Sequence, residues 1–152
     1  MTESQIRNLG FAIVGCGRIG QRHAEHVPKF GRLTAACDLV AGRAEAAGLA
    51  QGAKPYTDYA EMLAALDGKT DVVAVCTPNG LHAEHAIKAF EAGFHVLCEK
   101  PMAITVHDCG EMIKAGERAG RRLFVVKQNR YNPPIEHLKT LLDALPPDLR
   151  EP

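Results

Sequence analysis

The sequence has no surplus of either charge: 18 lysines and arginines balance 18 aspartates and glutamates across its 152 residues. Without a net field there is no counterion-release drive toward a polyanion, which excludes nucleic acid as an expected partner. Also missing is any apolar run of the roughly 18 residues that a membrane helix needs. The opening Met1-Thr2-Glu3-Ser4-Gln5 lacks the basic and then apolar pattern of a secretion signal. These two absences point to a cytoplasmic chain with no membrane attachment. The five cysteines, Cys16, Cys37, Cys76, Cys98 and Cys109, show no C-x-x-C spacing and are odd in number. They read as small buried side chains in a reducing compartment, with neither a disulfide nor a metal site expected. No low-complexity linker divides the chain, and a length of this order buries one core but not comfortably two. Residues 1–152 therefore read as a single domain.

What is present is the composition of a folded protein, 46% hydrophobic and 24% charged. Short apolar, β-branched runs alternate with longer stretches whose apolar positions recur three and four apart. Strands are expected at 11–14, 33–37, 72–76, 95–98 and 123–126, with a weaker one at 54–56. Most are apolar on both faces, as a parallel sheet covered by helices on each side requires. The third helix carries Tyr59, Met62, Leu63 and Leu66 behind the capping oxygens of Thr57 and Asp58. The fourth aligns Ala83, Ala86, Ile87 and Phe90 and stops at Gly93. The fifth starts at Thr105, with Asp108 three residues later, and should bury Cys109, Met112, Ile113 and Gly116. A sixth opens at Asn132-Pro133, carries Ile135, Leu138, Leu142 and Leu145, and ends at Pro146 and Pro147. The alternation predicts an α/β doubly wound parallel sheet, the Rossmann fold, with ligands bound beyond the carboxyl ends of the strands.

Directly after the first strand stands Gly15-Cys16-Gly17-Arg18-Ile19-Gly20, then a helix-compatible stretch. In this strand-to-helix context G-x-G-x-x-G has a physical reading. Gly15 permits a tight turn, Gly17 lets the backbone approach a diphosphate, and Gly20 lets the helix lie close on the strand. The diphosphate of a dinucleotide then sits on the free amides of the helix N-terminus. Asp38 ends the second strand 18 residues after Gly20. It either accepts from the adenosine ribose hydroxyls, repelling a 2′-phosphate and favouring NAD over NADP, or caps the next helix. Arg43 lies close enough in sequence to bear on that choice, although a solvated helix-face charge is its plainer role.

Two further loops leave the same sheet edge. Cys76-Thr77-Pro78-Asn79-Gly80-Leu81-His82 reads either as a capped strand-to-helix turn or as a wall of the ligand site. Glu99-Lys100-Pro101 places two opposite charges at the end of an apolar run. They form a surface ion pair, or else a partly buried Lys100 donates to a substrate oxygen and moves its proton. His23, His26, His85, His95, His107 and His137 show no distinguishing spacing and read as structural or solvated.

Together the segments resemble the glucose-fructose oxidoreductase, inositol dehydrogenase and rhizopine-catabolism family, Gfo/Idh/MocA. The matching residues are the glycine loop, Thr77-Pro78-Asn79 with His82, Glu99-Lys100-Pro101, and Gln128-Asn129-Arg130-Tyr131-Asn132-Pro133-Pro134. The resemblance implies hydride exchange between NAD and a hydroxyl of a sugar or cyclitol, with Lys100 catalytic between nicotinamide and substrate. It implies that Cys76, Thr77, Pro78, Asn79, His82, Glu99, Pro101 and Gln128 join Gly15, Gly17, Arg18, Ile19, Gly20 and Asp38 around the cofactor. Arg130 and Asn132 would lie near a domain junction. The run Lys127 to Asn132 is similar to that of bacterial enzymes acting on the 3-hydroxyl of UDP-N-acetylglucosaminuronate. The family's second α/β domain, which carries substrate contacts and often the oligomer interface, has no counterpart here, so a fragment with a homo-oligomeric parent is expected. The alternative is a stand-alone NAD-binding module that senses redox state or regulates a partner without catalysis.

Overall fold

The computed structural model describes residues 9–66 and 68–146; the opening pentapeptide and Pro147 discussed above lie outside them. Strands β1 (Leu9–Val14), β2 (Gly31–Cys37), β3 (Lys54–Tyr56), β4 (Val72–Val75), β5 (His95–Cys98) and β6 (Leu123–Val125) form one sheet in the order β3-β2-β1-β4-β5-β6. Every pairing is parallel. Between and after them run helices α1 (Arg18–His26), α2 (Ala41–Gly48), α3 (Tyr59–Ala65), α4 (His82–Glu91), α5 (Val106–Ala119) and α6 (Pro133–Asp143). The strand order reverses between β1 and β4, which opens a crevice where the loops leaving those two strands part. β4 and β6 each end one residue earlier than the sequence suggests. Their ladders nonetheless continue, since Cys76 N donates to Val14 O at 2.8 Å and Val126 N to Cys98 O at 2.9 Å.

Alternating side chains divide the core between the two faces of the sheet. Ala12, Val14, Ala35, Cys37, Val73, Val75, Val96 and Cys98 point to the face that Met62, Phe90 and Met112 of α3, α4 and α5 cover. Ile13, Ala36, Ala74 and Cys76 point to the other, covered by Ala24 of α1 and Ala47 of α2. Asp58 caps α3 by accepting from Glu61 N at 2.7 Å, and Thr105 caps α5 by accepting from Asp108 N at 3.0 Å. Gly93 follows α4 with φ +89°.

Two burial expectations need correction. In α5 the buried stripe is Met112, Ala115 and Gly116, whereas Ile113 is 48% exposed and Cys109 half-buried. The helix lies along the sheet's end beside α4, so only a narrow stripe meets other atoms and Ile113, about 100° around the helix from Met112, misses it. The apolar face of α6 is uncovered: Ile135, Leu138, Leu141 and Leu142 are all exposed, and so is Phe124 on β6. Among the described residues no helix is long and apolar enough to cross a membrane.

Candidate functional site

The bend after β1 is held at both shoulders. Gly15 has φ +87°, and a Cβ there would lie 2.7 Å from the Cys76 carbonyl, so only glycine suits the position. A Cβ on Gly20 would lie 2.0 Å from Gly15 O, which is why α1 can pack directly on the bend. Gly17 differs from both. Its φ is −68° and a Cβ would meet nothing within 4 Å. Neither backbone nor packing demands glycine at 17; its bare face opens on the crevice. Behind it α1 starts with no side-chain cap and no acidic residue in its first turn, unlike α3 and α5. Free amides and the positive end of the helix dipole therefore face the opening.

The crevice has a volume of about 790 Å³, within the range of ligand pockets. Gly17, Arg18 and Ile19 form one wall, and Cys76, Thr77, Pro78, Asn79 and His82 the wall after β4. Glu99, Lys100 and Gln128 close the far end. Gly15, Gly20, Asp38 and Pro101 stand behind these walls rather than on them. The Asp38 carboxylate ties the bend to β2, accepting from Cys16 N at 2.8 Å and from Val40 N at 2.9 Å. Asp38 does not cap α2: that helix has no side-chain cap bond, and only the amide of Val40, its N-cap residue, reaches Asp38, so each carboxylate oxygen keeps a lone pair.

Five further residues that the sequence did not assign to the cofactor, Arg22, His23, His26, Arg43 and Val126, also reach the crevice. Ile19, Arg22, His23 and His26 follow the i, i+3, i+4, i+7 rule of one helix face, the signal from which they were legible. Arg43 is not merely a solvated charge: it lines the cavity while its carbonyl accepts from Gln21 Nε2 at 3.0 Å. Arg18, Arg22, Arg43 and Lys100 face a single lining carboxylate, Glu99, a balance that suits an anionic ligand.

Glu99 is not in a surface ion pair with Lys100. It is 7% exposed, and His23 Nε2 donates to its Oε1 at 2.8 Å. Its Oε2 accepts from the Lys100 backbone amide at 3.2 Å. One carboxylate thereby fastens the Lys100 backbone to α1. The Lys100 side chain is exposed at the lip, not partly buried. On the β4 side, buried His82 spans two loops, with Nδ1 2.7 Å from Pro101 O and Nε2 2.8 Å from Thr77 O. His85, one turn further along α4, places Nδ1 3.0 Å from Thr77 Oγ1.

Four of the five free cysteines lie buried beneath this edge of the sheet. Burial pushes Cys16 and Cys98 up to about 12 and Cys37 up to about 11, and Cys76 further still. Neighbouring carboxylates, Asp38 at Cys16 and Glu99 at Cys98, act in the same direction. As thiols rather than thiolates, they pack the crevice floor and offer no nucleophile.

Residues 9–127 match the model of an oxidoreductase family with an NAD-binding Rossmann fold, GFO_IDH_MocA. Inositol 2-dehydrogenase of Salmonella paratyphi B is 36% identical over 142 residues, 90% of this chain and 42% of its own length. The WlbA dehydrogenase of Chromobacterium violaceum, crystallised with NADH and UDP-GlcNAcA, shares 41% identity with a TM-score of 0.85, over 90% of this chain and 40% of that one. The WlbA dehydrogenase of Bordetella pertussis, in complex with the same two molecules, shares 39% identity with a TM-score of 0.84, over 90% and 42%. The chain spans about two fifths of the length of these relatives.

Proposed function

The chain belongs to the Gfo/Idh/MocA oxidoreductases as an NAD-binding Rossmann domain, and from that premise we propose that it is the cofactor half of a dehydrogenase acting on a hydroxyl of a sugar or sugar nucleotide. The observation that carries the reading is Gly17. It is a glycine without a structural reason, set in front of the uncapped N-terminus of α1. A diphosphate against those amides completes the helix's unpaired donors, and Arg18 and Arg22 add charge complementarity.

Behind the cavity wall, at the end of β2, Asp38 keeps lone pairs to accept from the adenosine ribose, which favours NAD over NADP. Thr77, Pro78, Asn79, Glu99 and Gln128 line the opposite end, where the nicotinamide belongs. When bound, the nicotinamide accepts or supplies the hydride. Lys100 hydrogen-bonds the reacting oxygen of the substrate, taking up the hydroxyl proton as a neutral amine during oxidation and returning it from the ammonium during reduction. Glu99 holds the Lys100 backbone, and His23 holds Glu99.

The 3-hydroxyl of UDP-N-acetylglucosaminuronate is the substrate position we favour. Its support is the run Lys127 to Asn132 together with the two WlbA dehydrogenases crystallised with UDP-GlcNAcA. Most of the substrate contacts, and the surface of a homo-oligomer, belong in this reading to a second α/β domain of the parent enzyme. The uncovered apolar face of α6 and the exposed Phe124 on β6 support such a partner. The setting is the cytoplasm, with no part for membrane or nucleic acid.

Calorimetric titration of the chain with NADH is expected to saturate, without turnover of sugar nucleotide, because positioning needs both domains. Absence of saturation at millimolar NADH would overturn the reading.

A further inference from the structure

Thr77 stands on the crevice wall and is gripped from behind by two histidines of α4. His82 reaches its carbonyl, and His85 Nδ1 lies 3.0 Å from its hydroxyl oxygen. His85 itself is half-buried and lies off the wall. Its ring stands edge-on to Tyr59 of α3, centroids 4.8 Å apart and planes at 71°, while the Tyr59 hydroxyl donates to the His85 carbonyl at 2.8 Å. Packing from a second helix therefore holds the ring in place.

A hydroxyl bonded to an imidazole nitrogen has two arrangements. When Nδ1 is bare, the Thr77 hydroxyl donates to it and turns oxygen lone pairs toward the crevice. When Nδ1 carries a proton, it donates to Thr77 Oγ1, and the hydroxyl hydrogen is freed for the crevice instead. Burial holds His85 below the ordinary imidazole range; Glu84 opposes this, while Lys88 and His82 add to it. Glu84 and Lys88 bond each other at 2.7 Å, so their fields at the ring partly offset. The Tyr59 phenol, pushed upward by burial, stays uncharged.

We propose that His85 is a positioning residue that sets the hydrogen-bond polarity of Thr77. At neutral pH the crevice wall presents an acceptor to an N–H or O–H group of the bound nicotinamide nucleotide, and in acid it presents a donor. This rests on the dinucleotide reading above and assigns a pH dependence to the same site. The residue acts from outside the cavity, through the Thr77 hydroxyl.

The test is NADH affinity of the chain across about pH 5 to 8, the range in which histidine titrates, for wild type, His85→Asn, His85→Phe and Thr77→Val. Asparagine puts a fixed acceptor oxygen near the place of Nδ1, so its variant is expected to bind like wild type at neutral pH and to retain that affinity in acid. Wild type is expected to lose about tenfold relative to it, the size of one hydrogen bond. His85→Phe and Thr77→Val should be weaker at neutral pH and lack this part of the pH dependence. His23 and His26 line the crevice unchanged in all four proteins, so the difference between profiles isolates His85. Nitrogen-15 spectra of the free wild-type chain should show His85 Nδ1 bare at neutral pH, a readout that needs no variant to fold. An asparagine variant that loses affinity in acid as wild type does, or an Nδ1 carrying hydrogen at neutral pH, overturns this proposal alone. Failure of the wild type to bind NADH would remove the dinucleotide reading and this proposal with it.

Discussion

The two faces of the sheet are filled by side chains of different size, and the difference separates stability from function. On the face of α3, α4 and α5 the fully buried residues include Phe90, Met62 and Met112. On the face of α1 and α2 they are largely Ala24, Ala36, Ala47, Ala53, Ala74, Cys16 and Cys76. Large side chains remove more apolar area from water per residue and hold helices further from the strands. Small ones let α1 approach until the place of a Gly20 Cβ falls 2.0 Å from Gly15 O. The first face supplies most of the burial. The second brings a helix N-terminus to the sheet edge, where its amides are usable.

The comparison is broken most severely on the large face. Phe90→Ala leaves a cavity among Met112, Val96 and their neighbours, with an expected loss of about 3–5 kcal/mol. Urea unfolding followed by circular dichroism measures it, and NADH affinity of the remaining folded protein should stay within a few-fold of wild type. On the small face, Gly20→Ala drives a methyl into backbone and should lose about 3 kcal/mol, with dinucleotide binding lost as α1 is displaced. A stable Gly20→Ala protein that still binds would show that close approach is not what the small side chains provide.

Gly17→Ala sharpens the contrast between two glycines of one loop. Its methyl enters open space, so stability should change by less than about 0.5 kcal/mol. NADH affinity should fall about 100-fold by calorimetry, because that space is the ligand's. Equal affinity would mean that the bare backbone at 17 serves nothing.

The cysteines give a chemical version of the same comparison. At mildly alkaline pH the native chain should be alkylated at half-buried Cys109, while Cys16, Cys37, Cys76 and Cys98 react only on unfolding. Peptide mapping after brief iodoacetamide treatment reads the pattern directly.

The smallest expected effect is on pH stability. Burial lowers His85 beside the crevice and His95 at the opposite end of the sheet, where His95 Nδ1 accepts from Arg122 N at 2.9 Å. The folded state favours the neutral ring, so the contribution is whole above the unfolded value of about 6.5. It is lost as pH falls through the lower folded-state values. Both rings are partly solvated, so less than about 1 kcal/mol each is at stake. Urea midpoints between pH 7.5 and 5 should decline, and less steeply in His95→Gln.

The glycine loop, the alternation of strands and helices, and the loops at Thr77 and Glu99 were legible because each is local. A dihedral, an apolar period or a cap is decided within a few residues. The partner of Glu99 was not, since His23 lies 76 positions away and meets it only when β5 is laid two strands from β1. Arg43 looked like a solvated charge because nothing near it in the chain says that α2 starts beside the crevice. Ile113 looked like core because helical periodicity defines an apolar face without saying how much of that face a neighbour covers.

From residues alone came the alternation of strand and helix, the turn that only glycine permits at 15, and the identity of the charged groups at the sheet edge. Those follow from short-range sterics and hydrogen bonding. Folding decided which groups meet: that Glu99 fastens Lys100 to α1, that Asp38 ties the bend rather than lining the cavity, and that His85 stands behind Thr77. These pairings depend on strand order and helix approach, which bring together positions that no local rule connects.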